Sequence, residues 1–252
     1  MTARLEIEYD GTGFAGWANQ PGERTIQAEL ERALCVVLRR DRVPLTVAGR
    51  TDAGVHAWAQ IASHEGEAAP LGSLNALLPP DISVVRSEPA PDGFDARKDC
   101  TSRMYYYRVL ARPARLVIER EHALHWIYPV DFEALQRCAA MLVGTHDFTA
   151  FTPTDTYHVR FDRHIHTAYW RAHRHAVFEF WIEGDTFMRH MNRILVGTML
   201  EVGRGRRSLA DFARLLEGRP RAEAGLTAPA HGLYFAGAGY RGERLLTPIV
   251  AP

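Results

Sequence analysis

Residues Leu5–Leu30 read LEIEYDGTGFAGWANQPGERTIQAEL, and the order of events in them decides the fold. Leu5-Glu6-Ile7-Glu8-Tyr9 alternates apolar and charged side chains, the pattern of a half-buried strand. Gly11-Thr12-Gly13-Phe14-Ala15-Gly16 then matches the G-x-G-x-x-G spacing of dinucleotide-binding loops. That motif works when a helix opens at once, because the helix N-terminus holds the pyrophosphate. Here Trp17 to Gly22 continue as loop, and the helix starts only after Thr25, a capping residue. Its apolar face is Ile26, Leu30, Ala33, Leu34, Val37 and Leu38. The glycine loop is therefore expected to pack on a ligand or substrate, and a dinucleotide-binding fold is disfavoured.

Outward from this stretch, short strands are expected at Leu45–Gly49, Ala57–Ser63, Ile82–Val85 and Met104–Ala111. Ser73–Leu78 reads as a short helix stopped by Pro79-Pro80. Asp131 caps a helix predicted through Val143, with Gly144 just past its end. Strands follow near Arg163–Arg171 and Val177–Ile182. A helix capped by Asp185 or Thr186 is predicted from Phe187 to about Val202, another from Ser208 to Glu217, and Leu233–Ala236 reads as a last strand. Strands and helices mix without strict alternation, which favours α+β over a doubly wound sheet. Each half holds a strand–helix–strand unit, so two related sub-domains are expected, with the boundary around Arg112–His122.

The chain has 252 residues, 46% hydrophobic and 24% charged, the profile of an ordinary globular protein. No apolar run is long enough to span a membrane, and the N-terminus lacks a signal-peptide core. A cytoplasmic location without membrane contact is therefore expected. Cys35, Cys100 and Cys138 follow no metal or redox spacing and read as reduced. The 30 Lys and Arg balance the 30 Asp and Glu, but their placement is uneven. Arg97–Arg120 holds seven cations against Asp99 and Glu119, and Arg189–Arg207 holds five arginines against Glu201. Lys98 is the only lysine. An arginine-favouring genome explains this preference; the guanidinium fork's fit to phosphate explains it too.

Three further patterns carry chemistry. In the helix from Phe187, Met188, Met191, Leu195, Met199 and Val202 share one side, while Arg189 and Arg193 share the other, with Gly197 a turn on. That second side is either a solvated basic face or an arginine presented to a carboxylate or phosphate. Ser102–Arg108 interleaves tyrosines with arginines, and Arg103, Tyr105 and Tyr107 share one face of a strand. Aromatics beside arginines suit an unpaired base and its flanking phosphates, although a tyrosine-rich sheet surface has the same look. His164-x-His166 and His173-x-His175 each point to one strand face, but no third and fourth ligand stands at a telling spacing, so no metal is expected.

The last pattern is Ala48-Gly49-Arg50-Thr51-Asp52-Ala53-Gly54-Val55-His56-Ala57. Thr51–Gly54 is an acceptable turn, with Asp first and Gly for positive φ. In extended chain Arg50 points the same way as Asp52, and a nearby cation favours the ionised carboxylate. The small neighbours Ala48, Gly49, Ala53 and Gly54 let another molecule approach closely. An ionised carboxylate in such a loop suits a nucleophile better than a general acid.

Gly49–His56 resembles the active-site motif of the TruA-type tRNA pseudouridine synthases. Companion motifs follow in order: Glu8-Tyr9-Asp10-Gly11, Gly16-Trp17, Phe94-x-Ala96-Arg97, Arg103-x-Tyr105-x-Tyr107, Gly144-x-His146-Asp147-Phe148, Phe187-x-x-x-Met191-x-Arg193-x-x-x-Gly197, Glu201-Val202-Gly203 and Gly232-Leu233-Tyr234. The resemblance implies an α+β fold of two ferredoxin-like halves forming a long, mostly antiparallel sheet flanked by helices, with a central active-site cleft. Residues 1–111 would form the half with the catalytic aspartate, and 112–252 the half that completes the cleft and carries Arg193. It implies isomerisation of uridine to pseudouridine at positions 38, 39 and 40 of the tRNA anticodon stem-loop, by a homodimer without cofactor or metal. Asp52 matches the catalytic aspartate, Tyr105 the tyrosine that stacks on the target base, Arg193 the arginine that pairs with the aspartate, and Arg50 a motif arginine near substrate phosphate. Arg103 and Arg189 are further candidates for RNA contact. The chain departs from the family at Ala18-Asn19-Gln20, where Gln-Arg-Gln is frequent, at Asp95, where His is common, and at Asn192, where an apolar residue is usual.

The reaction breaks an N-glycosidic bond, turns the uracil and rejoins it through carbon. Asp52 is open to three roles in it: attack at C1′, as in retaining glycosidases, base at C2′, or attack at uracil C6. Tyr105 would stack on the flipped base, whose unstacking costs a few kcal/mol, and Arg193 would hold Asp52 ionised. The rival reading is a non-catalytic RNA-binding protein using the same tyrosines and arginines. It gives Asp52 no role, and a carboxylate in an RNA groove weakens binding.

Overall fold

A computed structural model describes residues 1–156 and 158–246. Among these residues the chain is α+β, with ten strands and five α-helices. Its described residues form two compact units, one of Met1–Arg103 with Tyr234–Glu243, the other of the described residues of Met104–Leu233 with 244–246. No described helix is long and apolar enough to cross a membrane.

The first unit opens with β1 (Thr2–Tyr9), α1 (Ile26–Leu38), β2 (Thr46–Val47), β3 (His56–Glu65), α2 (Leu71–Leu77) and β4 (Ile82–Ala90). This is a βαββαβ order, and the strands lie β4-β1-β3-β2, the ferredoxin-like arrangement that the family resemblance implies. β1 pairs antiparallel with both neighbours: Leu5 faces Ala62 on β3 and Ser87 on β4. Its Leu5 and Ile7 are buried, as is the Ile26, Leu30, Ala33 and Leu34 face of α1. The Thr25 hydroxyl caps α1 by accepting from the Ala28 N–H at 3.3 Å. β4 runs well beyond the expected Val85. Its second half is exposed and polar, so pairing with β1 extends it where burial gives no sequence signal.

The edge of β3 that carries β2 at Ala62 and Ser63 carries a second strand further back. There β10 (Leu233–Tyr240) runs parallel to it, Tyr234 facing His56 and Phe235 facing Ala57. This pairing draws 234–243 into the first unit. The division between units falls inside β5 (Cys100–Ala111), ahead of the expected Arg112–His122. A long-range parallel pairing has no local signature, which is why sequence reading misses it.

The second unit contains β6 (Leu124–Trp126), α3 (Phe132–Met141), β7 (Gly144–Asp147), β8 (Asp162–His173), β9 (Val177–Gly184), α4 (Met191–Gly203) and α5 (Leu209–Leu215), with strands in the order β5-β9-β8-β7. Asp131 caps α3 by accepting from the Ala134 N–H, as expected. α3 ends two residues short of Val143, and Gly144 opens β7. β7 is half-buried and short, so only its pairing with β8 declares it. α5 starts from a full capping box, Ser208 with Asp211.

α4 differs most from expectation. It starts at Met191, not Phe187; His190, in left-handed conformation at φ 60°, precedes it, and no side chain caps it. Met188 and Arg189 therefore lie outside the helix. Met191, Leu195, Met199 and Val202 are buried as predicted, but so are Ile194, Val196, Thr198 and Leu200. A helix apolar nearly all round belongs in a core, so it offers no solvated basic face.

Candidate functional site

Asp52 opens a turn in the first unit. The Val55 N–H donates to the Asp52 carbonyl at 3.2 Å, and Gly54 takes φ 76°. The turn expected from the sequence is thus present. It joins the end of β2 to the start of β3, the central strand of its sheet. Asp52 is half-buried, Thr51 is buried and Arg50 is exposed. The difference leaves the Arg50 side chain open to solvent.

The glycine loop packs on this turn. A Cβ at Gly11 would lie 2.1 Å from the Val55 carbonyl oxygen, and one at Gly16, which sits at φ 99°, 2.9 Å from the Thr51 carbonyl oxygen. The Trp17 N–H donates to that Thr51 oxygen at 3.0 Å. The Gly11 N–H donates to His56 Nδ1 at 3.0 Å; a proton on this nitrogen would instead tie it to Asp10, 3.1 Å away. The sequence predicts a loop that packs on a ligand or substrate; the structure shows it bracing the Asp52 turn, with glycines at Gly11 and Gly16 where backbone meets backbone.

Buried side chains hold the turn from beneath. The Tyr9 hydroxyl lies 2.8 Å from Thr51 Oγ1, and Gln60 Nε2 donates to Tyr9 at 3.3 Å and to the Gly49 carbonyl at 2.8 Å. Burial pushes the Tyr9 phenol up to about 12, against the pull of Thr51 and Gln60, so it stays neutral. Sequence reading named Tyr9 only as part of a motif and gave Gln60 no role. A partner 42 residues away leaves no local trace.

The departures from the family pattern serve the chain itself. Asn19 donates to Glu31 and accepts from Thr25, and Gln20 donates to the Ala15 carbonyl, fastening the loop to α1. Asp95 accepts from the N–H groups of Arg97 and Lys98. Burial opposes its ionisation, but these bonds and the nearby cations together hold the carboxyl below its usual range. Asn192 is buried among the α4 core residues. Arg103 places its guanidinium on three backbone carbonyls, of Ala48 (2.9 Å), Cys100 (3.2 Å) and Arg97 (3.0 Å). The structure thus gives Arg103 a bracing position at the exit of β2.

In the second unit Tyr105 is buried on β5, its ring edge-on to Phe187 at 5.2 Å. Tyr107, on the same strand face, is fully buried, and burial raises its phenol well above its ordinary value despite nearby Arg193. Its hydroxyl donates to the Pro229 carbonyl at 2.8 Å. Tyr106 stacks on Trp181 at 4.6 Å. The rings are packed on both faces of β5, Tyr106 on the face opposite Tyr105 and Tyr107, so the tyrosine run is more than a polar sheet surface.

Arg193 lies in the first turn of α4. Its Nε donates to the Ala228 carbonyl at 2.7 Å, and the Ala228 N–H donates back to the Arg193 carbonyl at 3.1 Å. One turn on, a Cβ at Gly197 would fall 1.9 Å from the Leu226 carbonyl oxygen. Gly197 thus lets the 226–228 segment lie on the helix, and that segment sets the guanidinium. Arg189 pairs instead with Asp155 at 2.5 Å, so the predicted grouping of Arg189 with Arg193 on one helix face does not hold. His164 and His166 lie together on β8, rings 4.9 Å apart; burial, then the charge of Arg244, pulls His166 down. His173 meets Glu179 at 3.0 Å, and His175 stands in the β8–β9 turn at φ 61°. Neither pair gathers a metal-ligand set among the described residues.

A family model described as tRNA pseudouridine synthase matches residues 138–241. Proteins called tRNA pseudouridine synthase A align over most of the chain. The one from Halalkalibacterium halodurans is 41% identical over 236 residues, 91% of this chain and 89% of that protein. Those from Bacillus pumilus and Bacillus subtilis are 38% and 39% identical over 243 residues, 93% of this chain and 97% of theirs.

Proposed function

This chain belongs to the tRNA pseudouridine synthase family, and on that premise we propose that the uridines it isomerises are those at positions 38, 39 and 40 of the tRNA anticodon stem-loop, with Asp52 as the catalytic carboxylate. Membership makes it an isomerase that converts uridine to pseudouridine in tRNA. The reaction exchanges the N1–C1′ bond for a C5–C1′ bond; C5 loses a proton and N1 gains one. Oxidation state is unchanged, so the proposal includes no cofactor. The single observation that carries Asp52 is its setting: a half-buried carboxylate on a turn fixed from both sides and from beneath. A group held that way loses little entropy when substrate arrives.

Tyr105 is the surface for the flipped uracil and Arg193 the cation that serves the carboxylate. Arg50 meets phosphate. Arg189 enters RNA contact only by giving up Asp155. The assembly that goes with this reading is a homodimer working in the cytoplasm, and sedimentation at micromolar concentration tests the dimer. The reading of a non-catalytic RNA-binding protein leaves the braced carboxylate without purpose.

Tritium release from tRNA carrying 5-tritiated uridine tests the reaction, and a pseudouridine map of the product tests the positions. Asp52→Ala is expected to lower turnover by about ten-thousand-fold, the scale seen when a group that reacts with substrate is removed. Release that survives this substitution would remove Asp52 from the mechanism.

A further inference from the structure

Tyr9 stands where β1 ends, and its ring is buried beside Trp17, centroids 6.1 Å apart. A buried phenol needs a partner for its hydroxyl. Tyr9 finds one in Thr51, the residue before Asp52 and 42 positions away in sequence. Gln60, fully buried, donates into the phenol oxygen and also holds the Gly49 carbonyl. Tyr9 and Thr51 share one hydrogen bond, in which either hydroxyl can donate, while Gln60 donates to the phenol oxygen. The chain of bonds therefore fixes residues 49 and 51, on either side of exposed Arg50, and leaves Asp52 no room to shift at its N-terminal side. Trp17 and Gly11 fix the Thr51 carbonyl and the far end of the turn from above.

Such a pair is a poor way to gain stability. Replacing two buried hydrogen-bonding partners by apolar groups of the same shape is often close to neutral, whereas removing one partner strands the other. A Phe and a Val would fill the places of Tyr9 and Thr51. What the apolar pair would lack is direction.

We propose that Tyr9 is a positioning residue of the reaction: through Thr51 it sets the place of the Asp52 carboxylate. The proposal rests on Asp52 being the catalytic group. A misplacement of about 1 Å can cost a hundredfold in rate, so a loss in kcat of about ten- to a hundredfold is expected for Tyr9→Phe, with KM for tRNA within twofold. Thr51→Val should lose the same factor. Thr51→Ser, which keeps the hydroxyl, should stay within twofold of wild type.

The deciding measurement is the double variant Tyr9→Phe/Thr51→Val, with kcat and melting temperature read together on unmodified tRNA. The melting temperature is expected to recover partway from the single variants toward wild type, because the buried Gln60 amide still loses its bond to Tyr9, while kcat stays as low as in either single. Recovery of kcat along with melting temperature would reduce the pair to a packing device. So would a loss confined to KM, or two single losses that multiply. Wild type and Asp52→Ala run alongside separate the two readings. An inactive Asp52→Ala beside an unaffected Tyr9→Phe overturns the positioning role alone. Turnover that survives Asp52→Ala overturns the assignment of Asp52 and the positioning role with it.

Discussion

The Asp52 turn and the start of α4 hold their key side chains in opposite ways. Around Asp52 the constraint is distributed: two glycines, the Trp17 N–H, the Tyr9 hydroxyl and the Gln60 amide close on four atoms of the turn, the Gly49, Thr51 and Val55 carbonyl oxygens and Thr51 Oγ1. At Arg193 the functional side chain itself is gripped, its Nε on the Ala228 carbonyl. A short carboxylate has few torsions, so fixing its backbone fixes its head. A long guanidinium must be held at the head, because its rotamer freedom is worth about 2 kcal/mol.

The sharpest way to break this comparison is at Arg193. Lysine keeps the charge but has one nitrogen, which cannot both hold Ala228 and present a planar fork. Arg193→Lys is expected to lower kcat about a hundredfold, the scale of losing one well-placed donor in a site. Melting should change little. An activity near wild type would show that charge alone suffices and that the grip on Ala228 is incidental.

Two glycine substitutions sharpen it further. Gly11→Ala would drive a methyl into the Val55 carbonyl, and Gly197→Ala one into the Leu226 carbonyl. Backbone must move in both, at about 3 kcal/mol of stability each. The rates should differ. The Asp52 turn keeps its bonds to Trp17, Tyr9 and Gln60, so kcat of the folded Gly11→Ala protein should fall less than tenfold. Gly197→Ala displaces the segment on which Arg193 rests and should cost more than tenfold. Equal kcat losses, measured well below both melting points, would end the distinction between distributed and single constraint.

The same contrast marks what the sequence could disclose. The caps at Thr25 and Asp131 and the apolar face of α1 are local patterns, and each is where the sequence places it. So is the Asp52 turn, because Gly54 at positive φ is a two-residue signal. The brace around it was not legible. Tyr9, Gly11 and Gly16 each act on residues about forty positions away, and a glycine loop looks alike whether it meets a pyrophosphate or another stretch of backbone. The apolar period of α4 was read correctly and then extended too far. Met188 is buried like its helical neighbours, and burial alone does not tell a helix from the coil that leads into it. Arg189 was misplaced with it, which a residue in left-handed conformation at His190 explains and no propensity foretells.

The smallest expected effect lies between the two constraints, at Arg50. It sits in the braced turn, between residues held by Gln60 and by Tyr9, yet its side chain is exposed. A rigid backbone carrying an exposed cation suits phosphate, where charge matters and geometry is forgiving. Each phosphate neutralised contributes a salt slope of about −0.7 for a single strand to −0.9 for a duplex. Arg50→Ala is therefore expected to raise KM for tRNA about fivefold, roughly 1 kcal/mol. It should flatten the dependence of log KM on log salt by about one unit, with kcat unchanged. A loss in kcat instead, with the salt slope intact, would place Arg50 with Asp52 in the chemistry and draw the exposed residue into the constrained half of the comparison.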